Sequence, residues 1–276
     1  MLTMGDHSGK PRSNTGEVGK DARQGESQYP EQKQRTYRGY ESRSAGERTD
    51  SSPGQRGSRE TTEPTSVGSR RSVRFEVGGE LLRGTLRMPP DPIGIVVLVS
   101  GSCGVAQAPR ETELVKQLIE NSVATFAVDL LTPTEASDRG NQRNLDLLSE
   151  RVAIVTDWIS ERDGIESLDV GYYGTGTGGS AVLQFVKYGS VPVRAVALYN
   201  GRPDLSTTVP SVPVFCAVDE GNEHLLETNE QFYERVKQSQ ARSEFLRAEE
   251  GTQVIPQMAH WFGASFRRAG SSPYRT

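Results

Sequence analysis

From residue 72 onward the apolar positions follow two rhythms that take turns along the chain. Residues 72–77 and 81–88 alternate apolar and polar side chains about Gly78-Gly79, which predicts a β-hairpin, closed by Pro89, Pro90 and Pro92. Residues 93–99 are nearly all apolar, as expected of a strand covered on both faces of a parallel sheet. A small-residue loop, Ser100-Gly-Ser-Cys-Gly104, follows. Pro109 then opens a helix with Leu114, Val115, Leu118 and Ile119 on one face. Residues 123–128 predict the next strand and 135–142 a polar loop. Leu145, Leu148, Val152, Val155 and Ile159 form an apolar stripe at helical spacing. Strands are predicted at 168–173, 193–198, 213–218 and 243–248. Helices are predicted after the first and third of these, the second of them over 224–237, and a short helix carries His260, Trp261, Phe262 and Phe266.

This alternation predicts the α/β class, a mostly parallel sheet flanked by helices. In such sheets ligands bind at the carboxyl ends of the strands. The informative loops are therefore those beginning at Ser100, Asp129, Gly174, Asn200 and Asp219, and the region around His260.

Residues 1–71 break the pattern. They contain no Ile, Phe or Trp, and Leu2 is their only leucine. Their 13 Lys and Arg against 10 Asp and Glu give +3, whereas the remainder, with 19 against 26, carries −7. So few apolar groups cannot offset chain entropy by burial, so 1–71 is expected to be a disordered polar tail. The expected domain runs over 72–270, with a C-terminal tail over 271–276. Tyr29, Tyr37 and Tyr40 lie among arginines in the tail, a weak pattern for single-stranded nucleic acid; the interspersed acids favour a solvated segment. The net charge of −4 points to neither nucleic acid nor membrane. Cys103 and Cys216 give no disulfide framework, no apolar run approaches the roughly 20 residues of a membrane helix, and residues 1–7 show no signal core. A cytoplasmic protein is expected. His7, His224 and His260 are too dispersed for a metal site, and no cofactor is expected.

The most telling stretch is Asp169-Val-Gly-Tyr-Tyr-Gly-Thr-Gly-Thr-Gly-Gly-Ser180, a strand running into a glycine-rich turn and a helix. A nucleophile elbow has this layout, written G-x-S-x-G; here the five positions are Gly174, Thr175, Gly176, Thr177 and Gly178. Other carrying segments are Ser100-Gly-Ser, Pro109-Arg110, Val128-Asp-Leu-Leu-Thr-Pro133, Asn200-Gly-Arg-Pro-Asp-Leu205, the run 212–229 and Ala259-His-Trp-Phe262. In order and spacing these resemble the dienelactone-hydrolase-like branch of the α/β-hydrolases, the type found fused to or beside phosphoribosyltransferase domains, over roughly residues 80–268. The resemblance implies a nucleophile, an acid and a histidine in that order. The nucleophile position is Gly176, the acid position is Asn222, with Asp219 as a possible substitute, and His260 holds the base position. Ser100, Gly101, Ser102, Cys103 and Thr177 would border an oxyanion pocket. A catalytically degenerate hydrolase follows, with a pocket for a small-molecule ligand or a protein partner. The alternative is an active hydrolase of small esters or lactones that uses Cys103 or Ser180 with His260 and Asp219.

Other features read as structure. The glycines 174–179 offer a helix N-terminus to an anion, but they lack the acid of a dinucleotide fingerprint and the lysine of a P-loop. Arg202 and Asp204 are expected to brace their loop, His224 to be solvated and Cys216 to be a buried thiol.

Overall fold

The computed structural model describes residues 59–65, 68–188, 192–239, 241–248 and 254–270. These belong to one compact unit, Ser52–Thr276. The expected disorder of residues 1–58 lies outside the described residues.

The strands are β1 (Arg59–Thr65), β2 (Gly68–Val77), β3 (Glu80–Met88), β4 (Ile95–Ser100), β5 (Ala124–Asp129), β6 (Val170–Gly176), β7 (Val193–Gly201), β8 (Val214–Asp219) and β9 (Ser243–Ala248). They form one sheet in the order β1-β2-β3-β5-β4-β6-β7-β8-β9. β1, β2, β3 and β5 pair antiparallel in turn; from β5 through β9 every pairing is parallel. The helices are α1 (Pro109–Glu120), α2 (Pro133–Ala136), α3 (Arg139–Arg143), α4 (Leu145–Ser160), α5 (Thr177–Tyr188), α6 (Glu223–Gln238) and α7 (Val254–Gly270). No helix among the described residues is long and apolar enough to cross a membrane.

The sheet divides the core in two. Ile95, Val97 and Val99 of β4 join one cluster with residues of α4, α5 and α6, while Val96 and Leu98 join the other with residues of α1 and α7. A strand buried on both faces has no polar side to alternate with, so its sequence is continuously apolar. The hairpin turn falls at Gly78 and Gly79, whose φ values of +60° and +87° suit a tight two-residue connection between twisted strands.

Three elements differ from expectation. The boundary expected at residue 72 lies inside β2, and β1 pairs with β2 from Arg59 onward. β1 (Arg-Glu-Thr-Thr-Glu-Pro-Thr) has no apolar alternation, and Pro64 argues against a central strand; at the edge of the sheet both are tolerated. The expected polar loop of 135–142 is overlapped by α2 and α3, each started by a side-chain cap, Thr132 and Asp138. The short helix around His260 is instead the 17-residue α7.

Candidate functional site

β6 ends at Gly176 and α5 begins at Thr177, so the chain reverses within one residue at the carboxyl edge of the sheet. Gly176 has φ +55°, and a Cβ placed on it would meet nothing within 4 Å. Its neighbours differ. A Cβ on Gly174 would lie 2.4 Å from the Cα of Gly179, and one on Gly178 would lie 2.7 Å from the Cα of Ser100. Gly174 and Gly178 let the turn press against α5 and the β4 loop. Gly176 is required only by its left-handed backbone, and it faces open space. This is the geometry that presents a nucleophile, with the side chain absent.

The loop after β4 is pinned beside the elbow. The carboxylate of Asp129 accepts from the Gly104 and Val105 amides at 2.8 and 3.0 Å. Burial raises the pKa of Asp129, and these two amides and the nearby Arg83 oppose that rise. The Ser100 hydroxyl accepts from the Ser102 amide at 3.2 Å and lies 3.0 Å from the Ser102 hydroxyl. Thr177 donates its hydroxyl to the Gln142 carbonyl at 2.6 Å, which ties α3 to the elbow. Ser100, Gly101, Ser102 and Thr177 are thus brought together, and Gly101 fits only because it has no Cβ to meet the Thr177 hydroxyl.

The two displaced-nucleophile candidates are placed otherwise. Ser180 is 1% exposed and donates its hydroxyl to the Arg202 carbonyl. It links α5 to the loop after β7, and the Arg202 amide in turn donates to the Gly176 carbonyl at 3.1 Å. Cys103 directs its S–H to the Leu131 carbonyl at 3.1 Å. Burial, then Asp129 and Glu135, raise its pKa, so the site favours thiol over thiolate.

Asn222 is exposed and caps α6, its side-chain oxygen accepting from the Leu225 amide at 3.1 Å. Asp219 ends β8 and is engaged on both oxygens, by the Tyr199 hydroxyl and by the Asn200 amide at 2.7 Å. Arg110 lies 3.7 Å from Asp219, with its guanidinium 4.0 Å from the Tyr199 ring centre. Asn200 holds φ +46°, and its side-chain oxygen accepts from the Asp219 amide at 2.9 Å. Behind this cluster the buried Tyr173 donates to the buried Glu111 at 3.0 Å. Burial first, and then Glu111, push the Tyr173 phenol well above its usual range. Tyr199, Glu111 and Tyr173 were not singled out from the sequence, and Asn200 was named there only as the start of a loop. Tyr173 reads there as a strand residue and Tyr199 lies one position beyond an expected strand, and only the register of neighbouring strands brings their hydroxyls to one edge.

His260 does not join this group. It is exposed, and it lies on α7 between buried Ala259 and buried Trp261 and Phe262. Six residues separate it from the start of the helix, about 9 Å along the axis. Phe262 packs over Gly171, near the amino end of β6. Ala259-His-Trp-Phe262 is therefore a stretch of packed helix with histidine on its outer side. The connection from β9 to α7, residues 249–253, reads Glu-Glu-Gly-Thr-Gln and contains no histidine. Cys216 is fully buried, its thiol pushed up to about 12 by that burial. Arg202 and Asp204 form the expected brace at 2.7 Å, and His224 is exposed.

No family model matches the chain. Among solved structures it is similar to a dienelactone hydrolase from Anabaena variabilis, with TM-score 0.62 and 26% identity over 76% of this chain and 98% of that one. It also superposes on Est1E from Butyrivibrio proteoclasticus, with TM-score 0.58 and 13% identity over 71% and 99%, a likeness of fold alone. Two Mycobacterium tuberculosis proteins, each named "Putative phosphoribosyl transferase", are 37% identical to it over 134 residues, 49% of this chain. The match spans 30% of the length of those relatives. The strand order, the elbow at Gly176 and these likenesses show an α/β-hydrolase fold like that of the dienelactone-hydrolase-like group.

Proposed function

We propose that this protein is a catalytically degenerate member of that group, which holds a small ligand at the elbow without forming a covalent bond to it. The observation that carries this reading is Gly176: an elbow backbone at φ +55°, open space where a side chain would project, and no atom there to attack a carbonyl. Two further observations support it. Asn222 is occupied as a helix cap, and His260 faces outward along α7. The elbow's amides remain suited to an oxygen-bearing ligand, since backbone donors there do not depend on the missing side chain.

The reading with a displaced nucleophile finds no comparable support. The buried Ser180 has its hydroxyl engaged by the Arg202 carbonyl, and burial, then two neighbouring carboxylates, disfavour the Cys103 thiolate.

Gly176→Ser tests the proposal. The variant should fold, at a cost of about 1–3 kcal/mol for a side chain held at positive φ. It should remain unlabelled by a fluorophosphonate probe, even with Asn222→Asp added, because a serine without a base within hydrogen-bond reach is a weak nucleophile. Labelling of Gly176→Ser that is lost in Gly176→Ser/His260→Ala would show that His260 does reach the elbow, and would overturn that part of the proposal.

A further inference from the structure

Asn200 is the only asparagine in the sequence that is followed by glycine. A glycine amide has no Cβ beside it to block the approach of the preceding side chain. The structure holds this pair under constraint. Asn200, near the end of β7, sits at φ +46°, a left-handed backbone that a residue other than glycine keeps only where its surroundings impose it. The contacts that hold it come from Asp219. The Asp219 carboxylate accepts from the Asn200 side-chain nitrogen at 2.7 Å, and the Asp219 amide donates to the Asn200 side-chain oxygen at 2.9 Å. Both polar ends of the carboxamide are thus bonded to one residue. Asp219 is fixed in turn by the Tyr199 hydroxyl on its other oxygen. Just beyond Gly201, the Arg202 amide donates to the Gly176 carbonyl and the Arg202 carbonyl accepts from Ser180, so the same stretch of chain is tied to the elbow.

We propose that Asn200 is a site of spontaneous deamidation, and that its clamp to Asp219 sets the rate. In this reaction the Gly201 main-chain nitrogen attacks Cγ of Asn200. A bond forms between them, the bond from Cγ to the side-chain nitrogen breaks, and that nitrogen leaves as ammonia with the proton of the Gly201 amide. Water then opens the five-membered imide, which leaves aspartate or isoaspartate at position 200. The attack requires the carboxamide to turn towards Gly201, and it is not free to turn while both of its ends are bonded to Asp219. The product does not fit the clamp. A carboxylate at 200 offers Asp219 no donor and faces it with like charge. Isoaspartate also adds one carbon to the main chain, two residues before the amide that holds the Gly176 carbonyl. The modification therefore loosens the elbow irreversibly, whatever ligand the elbow holds.

The test incubates the full chain in mildly alkaline buffer and follows the peptide containing Asn200 by mass spectrometry, where each deamidation adds one mass unit. The folded wild type is expected to react at Asn200 roughly ten- to a hundredfold more slowly than the same chain in urea, the factor that a hydrogen bond to a charged group is worth. Asp219→Ala removes the charged acceptor and should move the folded rate towards the rate in urea, with folding checked by circular dichroism. Asp219→Asn keeps the size of the side chain and decides the matter if Asp219→Ala does not fold; it too should react faster than wild type. Asn200→Asp, which reproduces one product, should melt below wild type. No reaction at Asn200 in urea, equal rates in folded and unfolded wild type, a folded Asp219 variant with the wild-type rate, or an Asn200→Asp protein as stable as wild type would each overturn the proposal.

Discussion

Gly178→Ala is expected to destabilise the domain by about 3 kcal/mol or more, whereas Gly176→Ala, two residues away, should cost only about 1–2 kcal/mol. The two positions fail for different reasons. At Gly178 the added methyl would lie 2.7 Å from the Cα and carbonyl carbon of Ser100, and backbone atoms cannot swing aside as a side-chain tip can. The elbow would have to lift from the β4 loop, and the amides of that loop would lose their place beside Thr177. At Gly176 the methyl enters open space and the cost is the left-handed backbone alone. Chemical denaturation of the two variants decides the matter. Equal costs would show that the elbow is not pressed against the β4 loop as described.

Arg151→Met should cost up to about 3–5 kcal/mol, the range for removing one partner of a buried ion pair, since Arg151 is buried and Glu135 part-buried. Arg151 is 4% exposed. Its guanidinium donates to both oxygens of Glu135, at 2.5 and 2.7 Å, and to the Leu130 carbonyl at 2.5 Å. Glu135 in turn caps α2 by accepting from Thr132. This one pair fixes the segment after β5 on α4, and Cys103 leans on the same segment. The Arg151 hydrogen bonds, helped by Thr132, lower the Glu135 pKa from 4.5 to about 2. A depressed folded-state pKa means that the pair's contribution is complete above about pH 4.5 and is lost as pH falls towards 2. The melting-temperature gap between wild type and Arg151→Met, roughly 6–20 °C at neutral pH by the usual scaling for domains of this size, should therefore narrow across that window. A gap that stays constant down to pH 2 would mean that the ion pair is not the source of the stability.

How legible the molecule was depends on where its information is stored. β4 and α4 could be read directly, because burial on two faces or along one stripe imposes a periodicity on the residues themselves. The elbow was legible because its glycines are local requirements of a tight turn. β1 was not, since an edge strand needs no apolar side and its pairing is set by β2. The cluster of Arg110, Tyr199, Asn200 and Asp219 was hidden because its members come from α1, β7 and β8, whose meeting the local sequence does not show. Ala259-His-Trp-Phe262 shows a related limit: the motif is present, on a helix that turns Trp261 and Phe262 to the core and leaves His260 exposed. A four-residue motif does not contain that rotation; it follows from where α7 begins.

The central claim concerns turnover, and the most direct measurement is hydrolysis of p-nitrophenyl acetate by the wild-type protein alongside Cys103→Ala, Ser180→Ala and His260→Ala. With no nucleophile at Gly176, the four proteins should be indistinguishable from one another and from the uncatalysed rate. Wild-type turnover that disappears in Cys103→Ala or Ser180→Ala would contradict the account and make the protein an active hydrolase with a displaced nucleophile.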